Sequence, residues 1–465
     1  MIKNIIKVLL SNAILTIVGL FNSFIFPLLL SFDEYAYYQE YILYFSYVNI
    51  CHLGIASGMF LNYAGKKYND TDKAQYKSEI NLIYIVLAFF SFICLVISRY
   101  SGQKLVLYVA LTIFPQCIMA SFQALYLAWG KFTGYAIINA LPKILFSVIV
   151  LLFFIFFKNI TGNTVVLIYL TIQWLACIYF LIEVIIFTRG TRTKKIFSKK
   201  NMVTTSNGLF ITLGNYINLL FNSIDKQFVN ILYSTYAFSI YSFAMSMQNI
   251  MTIFITAIAN PFYPRLAKGD IDKEYINKLK EMLFAFGAYS GCAYFIISFT
   301  VRHFITKYLD SLQVVAMFFA VFPAMAVINV LYINLYKIRK KLKKYIITLI
   351  GMLIVATLLN CMAIFMHGDY IGIALATMIS YYVWLIYSQR DFDELSISRK
   401  DCIYLGGFFI VYYSTIRIQN DLVGCVLYFI IITIWNSYMY KNTFKYVLGH
   451  IPVLRRIMKG CYYDE

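Results

Sequence analysis

Residues Thr164–Phe187 read TVVLIYLTIQWLACIYFLIEVIIF, an apolar run in which Glu183 is the one charge. A helix of that length rises about 36 Å at about 1.5 Å per residue, enough to cross roughly 30 Å of hydrocarbon. The next residues, 188–200, read TRGTRTKKIFSKK and supply Arg189, Arg192, Lys194, Lys195, Lys199 and Lys200. An apolar span that ends in a basic cluster is what the positive-inside rule produces at a cytoplasmic exit. Runs at Ile5–Leu30, Leu82–Ser98 and Ile346–Met366 likewise reach the roughly 20 residues that a crossing needs. Working outward gives crossings at 5–30, 37–65, 80–98, 105–130, 136–157, 164–187, 206–232, 237–263, 282–300, 312–336, 346–366, 371–388, 403–418 and 421–440.

Taking every second gap as cytoplasmic places 32 of the 40 Lys and Arg on that side. Arg99, Lys104, Lys158, Arg302, Lys307 and Arg417 fall on the other side, and Lys143 and Lys226 fall within crossings. The expectation is an all-α polytopic membrane protein with 14 transmembrane helices, alternatively 12. Both termini are expected to be cytoplasmic, in an inner or plasma membrane. The 403–418 run is short and interrupted by Tyr412, Tyr413 and Ser414, which is what leaves the lower count open.

A hydrophobic content of 61% with 13% charged residues excludes an ordinary soluble globular protein. The net charge of +19 suits loops that face an anionic leaflet, and with no basic run on a soluble domain it does not call for nucleic acid. Nine scattered cysteines form no C-x-x-C pair. The histidines, at 52, 303, 367 and 450, have no metal-ligand spacing, and no phosphate-cradling glycine loop occurs. No metal and no cofactor is expected. The first apolar run is too long for a signal-peptide core and is expected to stay as a helix.

The chain also repeats itself. Ser11-Asn12 and Gly19 match Ser206-Asn207 and Gly214; Phe114-Pro115 matches Phe322-Pro323; Trp174-Leu175 matches Trp384-Leu385. The period spans six crossings, so the two copies share one orientation. That implies two six-helix bundles related by a parallel repeat, with a V-shaped central cleft between them. The expected division is an N-terminal bundle at 1–187, a basic linker at 188–205, a second bundle at 206–388, and two additional helices with a basic tail at 389–465.

Three stretches carry a resemblance. Ile224-Asp225-Lys226-Gln227 runs through Tyr241-Ser242-Phe243-Ala244 to Pro261-Phe262-Tyr263-Pro264-Arg265-Leu266-Ala267. Gly368-Asp369-Tyr370-Ile371-Gly372 leads into a later crossing, and Leu53-Gly54-Ile55-Ala56-Ser57-Gly58 lies within the second. Together these resemble the polysaccharide and O-antigen repeat-unit flippases of the multidrug/oligosaccharidyl-lipid/polysaccharide exporter superfamily. The resemblance implies a transporter rather than an enzyme. It would move a polyprenyl-pyrophosphate-linked oligosaccharide from the cytoplasmic to the outer leaflet, with membrane lipids and polysaccharide assembly proteins as partners. A multidrug extruder of the same superfamily is one alternative, though it should carry carboxylates deep in its bundles. A membrane-embedded glycan polymerase or ligase is the other, and the short external gaps disfavour it.

Candidate site residues follow from polar positions within the spans. Asn215, Asn218, Asn222 and Asp225 are spaced to share one helical face, and Asn12, Thr16, Gly19 and Ser23 do so on the repeat-related first crossing. Such faces either line a cavity or bond helix to helix. Lys143 either binds a pyrophosphate or snorkels to the surface. Asp225 and Lys226 are either functional intramembrane charges or lie at the outer interface with Lys226 snorkelling. His52, with Asp225, is an ion-coupling candidate, or else a neutral packed imidazole. Six prolines in or at the ends of crossings, at 27, 115, 142, 261, 264 and 323, permit kinks.

Overall fold

A computed structural model describes residues 2–267, 273–392 and 395–443. The basic tail expected after residue 443 and His450 lie outside the described residues, as do the side chains of His367 and of residues 256–267. Among the described residues every regular element is helical.

By contact pattern the chain forms two compact units, residues 1–239 and 240–465. The first contains α1 (Ile2–Leu29), α2 (Phe32–Tyr47), α3 (Ile55–Tyr63), α4 (Lys73–Ser101), α5 (Lys104–Ala128), α6 (Phe132–Phe157), α7 (Gly162–Phe187), α8 (Lys199–Phe221) and α9 (Ile224–Leu232). The second begins within α10 (Thr235–Ala267). It continues through α11 (Lys273–Tyr289), α12 (Gly291–Phe304), α13 (Ser311–Ala320), α14 (Phe322–Val327), α15 (Ile333–Ile338), α16 (Leu342–His367), α17 (Tyr370–Ser388), α18 (Arg399–Thr415) and α19 (Asp421–Met439). The division falls beyond the basic segment 188–205, because α8 and α9 are held by α3 and α2.

Ten described helices are long and apolar enough to cross a membrane, or twelve if each of two bent pairs makes one crossing. The chain is a multi-pass membrane protein. The other two expected crossings fall short of that test: α8 is rich in asparagine, and α18 has 17 residues. The span ends are set by local chemistry. Ser31, Asp72, Thr161, Ser198, Asp369 and Asn420 each accept a backbone N–H at a helix start. Gly102 and Gly368 close α4 and α16 at positive φ.

The two sharp bends have different causes. Ser311–Ala320 meets Phe322–Ile338 at 44° beside Pro323. The 61° bend between Phe32–His52 and Ile55–Tyr63 has no proline; Leu53 at φ 48° and Gly54 at φ 83° turn the chain there.

The last two helices are built into the second unit. The Lys280 ammonium, buried, donates to Asp401 Oδ2 at 2.8 Å and to the Ser396 carbonyl at 2.7 Å. Asp401 also accepts from Ser398 and from the Tyr440 hydroxyl. A buried ion pair of this kind requires such additional partners to offset its desolvation.

Candidate functional site

The second crossing breaks at its middle. A 3-10 turn, Val48–His52, leads into the left-handed pair Leu53-Gly54 before α3 begins. His52 is buried, and its Nδ1 accepts the Gly54 N–H at 3.1 Å. The imidazole thus meets the bend through its Nδ1 lone pair.

Beyond the bend, α3 lies against α8. Gly54, Gly58 and Asn62 form one face of the first segment, and Thr204, Gly208 and Thr212 form one face of the second. A Cβ on Gly58 would overlap the Thr204 carbonyl, and one on Gly208 would overlap Gly54 and Gly58 backbone atoms. Small residues at four-residue spacing let helices approach this closely. Hydroxyl and amide groups fill the rest of the seam: Ser57 Oγ and Thr212 Oγ1 are 2.9 Å apart, and Asn62 Nδ2 donates to Thr204 Oγ1 at 2.8 Å.

One end of this seam holds a carboxylate. Glu79 on α4 is 1% exposed. It accepts from the Tyr63 hydroxyl at 2.7 Å, from Gln75 Nε2 at 3.0 Å and from Thr204 Oγ1 at 3.4 Å. Gln75 also donates to Asn201 Oδ1 at 2.7 Å, and Asn201 Nδ2 donates to Ser78 Oγ and to the Ile196 carbonyl. The network ties α3, α4 and α8 together and fixes the segment after α7. Lys77 Nζ donates to the Thr191 carbonyl, Ser78 Oγ donates to the Lys195 carbonyl, and Lys194 pairs with Asp72 at 2.6 Å.

At the other end, α2 pairs with α9. The Lys226 ammonium, 7% exposed, donates to Gln39 Oε1 at 2.8 Å and stands 5.4 Å from the Phe238 ring centroid. Gln39 Nε2 donates in turn to the Tyr35 hydroxyl at 2.8 Å. Asn230 Nδ2 reaches Glu40 Oε1 and the Tyr44 hydroxyl, and Tyr47 bonds Ser223 at 2.9 Å. Partners step in opposite directions along the chain, so the second crossing and the α8–α9 segment run antiparallel over their length.

Here the structure corrects the sequence. The expected continuous helix at 206–232 ends at Phe221, turns through Asn222 and Ser223, and restarts at Ile224. Asp225 therefore does not share the face of Asn215, Asn218 and Asn222. Asn215 and Asn222 are exposed, whereas Asp225 is buried, its Oδ1 accepting the Lys226 N–H at 2.7 Å. Lys226 does not snorkel; its charge is enclosed by Gln39. Asn222 Nδ2 donates to the Asn218 carbonyl, so part of this asparagine face serves to end α8.

The remaining candidates lie on α1 and α6, which pack together. Asn12 is exposed, and its Oδ1 accepts from Asn139 Nδ2 at 3.4 Å. Thr16 Oγ1 donates to the Asn12 carbonyl, and Ser23 Oγ to that of Gly19. Lys143, one turn beyond Asn139 on α6, is exposed. It stands about 17 Å from the helix start at about 1.5 Å per residue, near the middle of a 26-residue helix. Asn12, Thr16, Asn139 and Lys143 thus form one polar strip on two spans. Sequence reasoning missed Asn139, Gln39 and Glu79. The four-residue spacings of Gly54 with Gly58 and of Thr204 with Gly208 were available signals for the seam.

No protein-family model and no curated protein matches the sequence. Among solved structures, the chain is similar to the lipid II flippase MurJ in an inward closed conformation. The TM-score is 0.61 at 15% identity, over 95% of this chain and 99% of that one. At that identity the likeness shows a shared fold.

Proposed function

We propose that this chain is a flippase that carries a polyprenyl-pyrophosphate-linked oligosaccharide, of the O-antigen or a related surface-polysaccharide type, from the cytoplasmic to the outer leaflet. The observation that carries the reading is the exposed Lys143, midway along a membrane-spanning helix, with Asn139 and Asn12 beside it. A cation and two amides facing hydrocarbon are costly, so such a strip belongs against water or a hydrophilic ligand. Sugars and pyrophosphate cannot enter hydrocarbon without losing their hydrogen bonds. A polar face exposed to one side and then the other removes that cost while the prenyl chain stays in lipid. Lys143 meets the pyrophosphate as a point charge, and the asparagine faces meet the glycan. The likeness in fold to a solved lipid II flippase supports the same class of transport.

In this reading both termini are cytoplasmic in an inner or plasma membrane, and an ion gradient or downstream consumption of product supplies the energy. His52 and Asp225 remain the ion-coupling candidates. The test is reconstitution of the purified protein into vesicles with a fluorescent polyprenyl-pyrophosphate oligosaccharide. Leaflet exchange is read by a membrane-impermeant quencher. Exchange no faster than in protein-free vesicles, under an imposed proton or sodium gradient of either sign, sinks the proposal.

A further inference from the structure

Between α4 and α8, a cavity of about 350 Å³ opens beside the seam, with Leu53, Leu82, Val86, Ile196, Phe197 and Leu209 among its walls. Its lining is apolar except for Asn201, Thr205 and Ser206. It falls at the lower end of the roughly 300–1,000 Å³ typical of small-molecule pockets. In a membrane-spanning unit an apolar groove of this kind faces hydrocarbon rather than water. Phe197, Met202 and Val203 around it are themselves 68%, 61% and 52% exposed.

Directly flanking the lining residues in sequence are Lys195, Lys199 and Lys200, all exposed. The nearby Asp72 is already paired with Lys194. Lys195 is held at the groove by its carbonyl, which accepts from Ser78 Oγ at 3.0 Å. Ile196 is held likewise by Asn201. An apolar slot and three exposed lysines therefore stand next to each other on a segment whose backbone Ser78 and Asn201 anchor. That combination matches an amphiphile with a hydrocarbon chain and an anionic phosphate head.

We propose that this groove is a binding site for one anionic glycerophospholipid. One acyl chain lies between α4 and α8, and its phosphate rests on Lys195, Lys199 and Lys200. Both walls of the groove also carry the Glu79 network, so the bound lipid braces the α3–α8 seam. The proposal requires that these helices span a bilayer and does not depend on what the protein transports.

Native mass spectrometry of the detergent-solubilised full chain tests it, with dioleoylphosphatidylglycerol titrated against dioleoylphosphatidylcholine and with inorganic phosphate as competitor. The first phosphatidylglycerol should bind more tightly than the first phosphatidylcholine, by roughly fivefold per lysine engaged. The triple variant Lys195→Gln, Lys199→Gln, Lys200→Gln should abolish that preference. Ser206→Trp, placed to fill the groove, should weaken the first phosphatidylglycerol; Thr205→Phe replaces it if that variant does not melt like the parent. Equal affinity for the two lipids in the unaltered protein overturns the charge selection. A filled groove that leaves the first phosphatidylglycerol unchanged overturns the chain's place. Complete displacement of that lipid by millimolar inorganic phosphate would mean a free-phosphate site and would overturn the proposal as well.

Discussion

A Cβ atom at Gly208 would occupy the space of the Gly54 carbonyl oxygen, so α8 meets the bend of the second crossing backbone to backbone. The contact joins the left-handed turn at Gly54 to a helix about 150 residues later in the chain. Neither glycine can gain a side chain without moving the two segments apart.

Gly208→Ala should therefore weaken the first unit, by about 1–3 kcal/mol on the scale of overpacked cores. Gly19→Ala, where nothing lies within 4 Å of the new atom, should have little effect. Denaturant titration in mild detergent compares the two. Equal stability of both variants would show that α3 and α8 do not approach as closely as described.

Glu79 lends itself to a paired substitution. Glu79→Gln keeps an acceptor for Tyr63 and should be tolerated. Glu79→Leu removes the acceptor of three donors and should cost about 2–4 kcal/mol, since buried donors left unpaired are expensive. If the leucine variant unfolds at the same denaturant concentration as the glutamine variant, the network does not hold the seam.

The membrane architecture was legible because it depends on composition averaged over about 20 residues, and blocks such as Thr164–Phe187 survive any local irregularity. The irregularities were not legible. Ser223 looks compatible with helix, yet it breaks the span, and Tyr47 from another crossing bonds its hydroxyl. A face argument over Asn215, Asn218, Asn222 and Asp225 assumes an unbroken 3.6-residue period, so it failed at the one position where the period resets. Lys226 read as either a functional intramembrane charge or a snorkelling side chain, because its partner Gln39 lies 187 residues away. Lys143 and Asn12 were each legible as in-span polar groups, but that Asn12 meets Asn139, one turn before Lys143, was visible only through the α1–α6 packing.

Orientation is testable by labelling. In a cysteine-free background, Ser101→Cys and Asp369→Cys should react with an impermeant maleimide in intact cells, and Lys195→Cys should react only after permeabilisation. Ser101 and Lys195 are exposed, so silence there cannot come from burial, whereas Asp369 is half-buried at the start of α17. Strong labelling at 195 in intact cells reverses the assignment of sides.

Lys143 should tolerate a change of shape better than a loss of charge. Lys143→Gln should lower surface glycan in a strain lacking the native gene, and Lys143→Arg should keep part of it, with protein abundance checked by blot. Lys226→Gln, by contrast, should act through stability, because it leaves the Gln39–Tyr35 chain without its cation. Full export from Lys143→Gln at normal abundance removes the cationic site and leaves the reading on fold alone.

The seam itself can be locked. The side-chain oxygens of Ser57 and Thr212 are 2.9 Å apart, so sulfurs in their place need to close only to the roughly 2.05 Å of a disulfide bond. With the native cysteines replaced, Ser57→Cys and Thr212→Cys should oxidise to a single bridged species. If transport requires α3 and α8 to part, oxidation should stop leaflet exchange in the vesicle assay and a thiol reductant should restore it. Each single cysteine variant should be insensitive to both reagents. A fully bridged protein that still exchanges lipid at the reduced rate would mean the seam stays closed throughout the cycle. Movement would then have to take place in other elements, and the glycines at 54, 58 and 208 would serve packing alone.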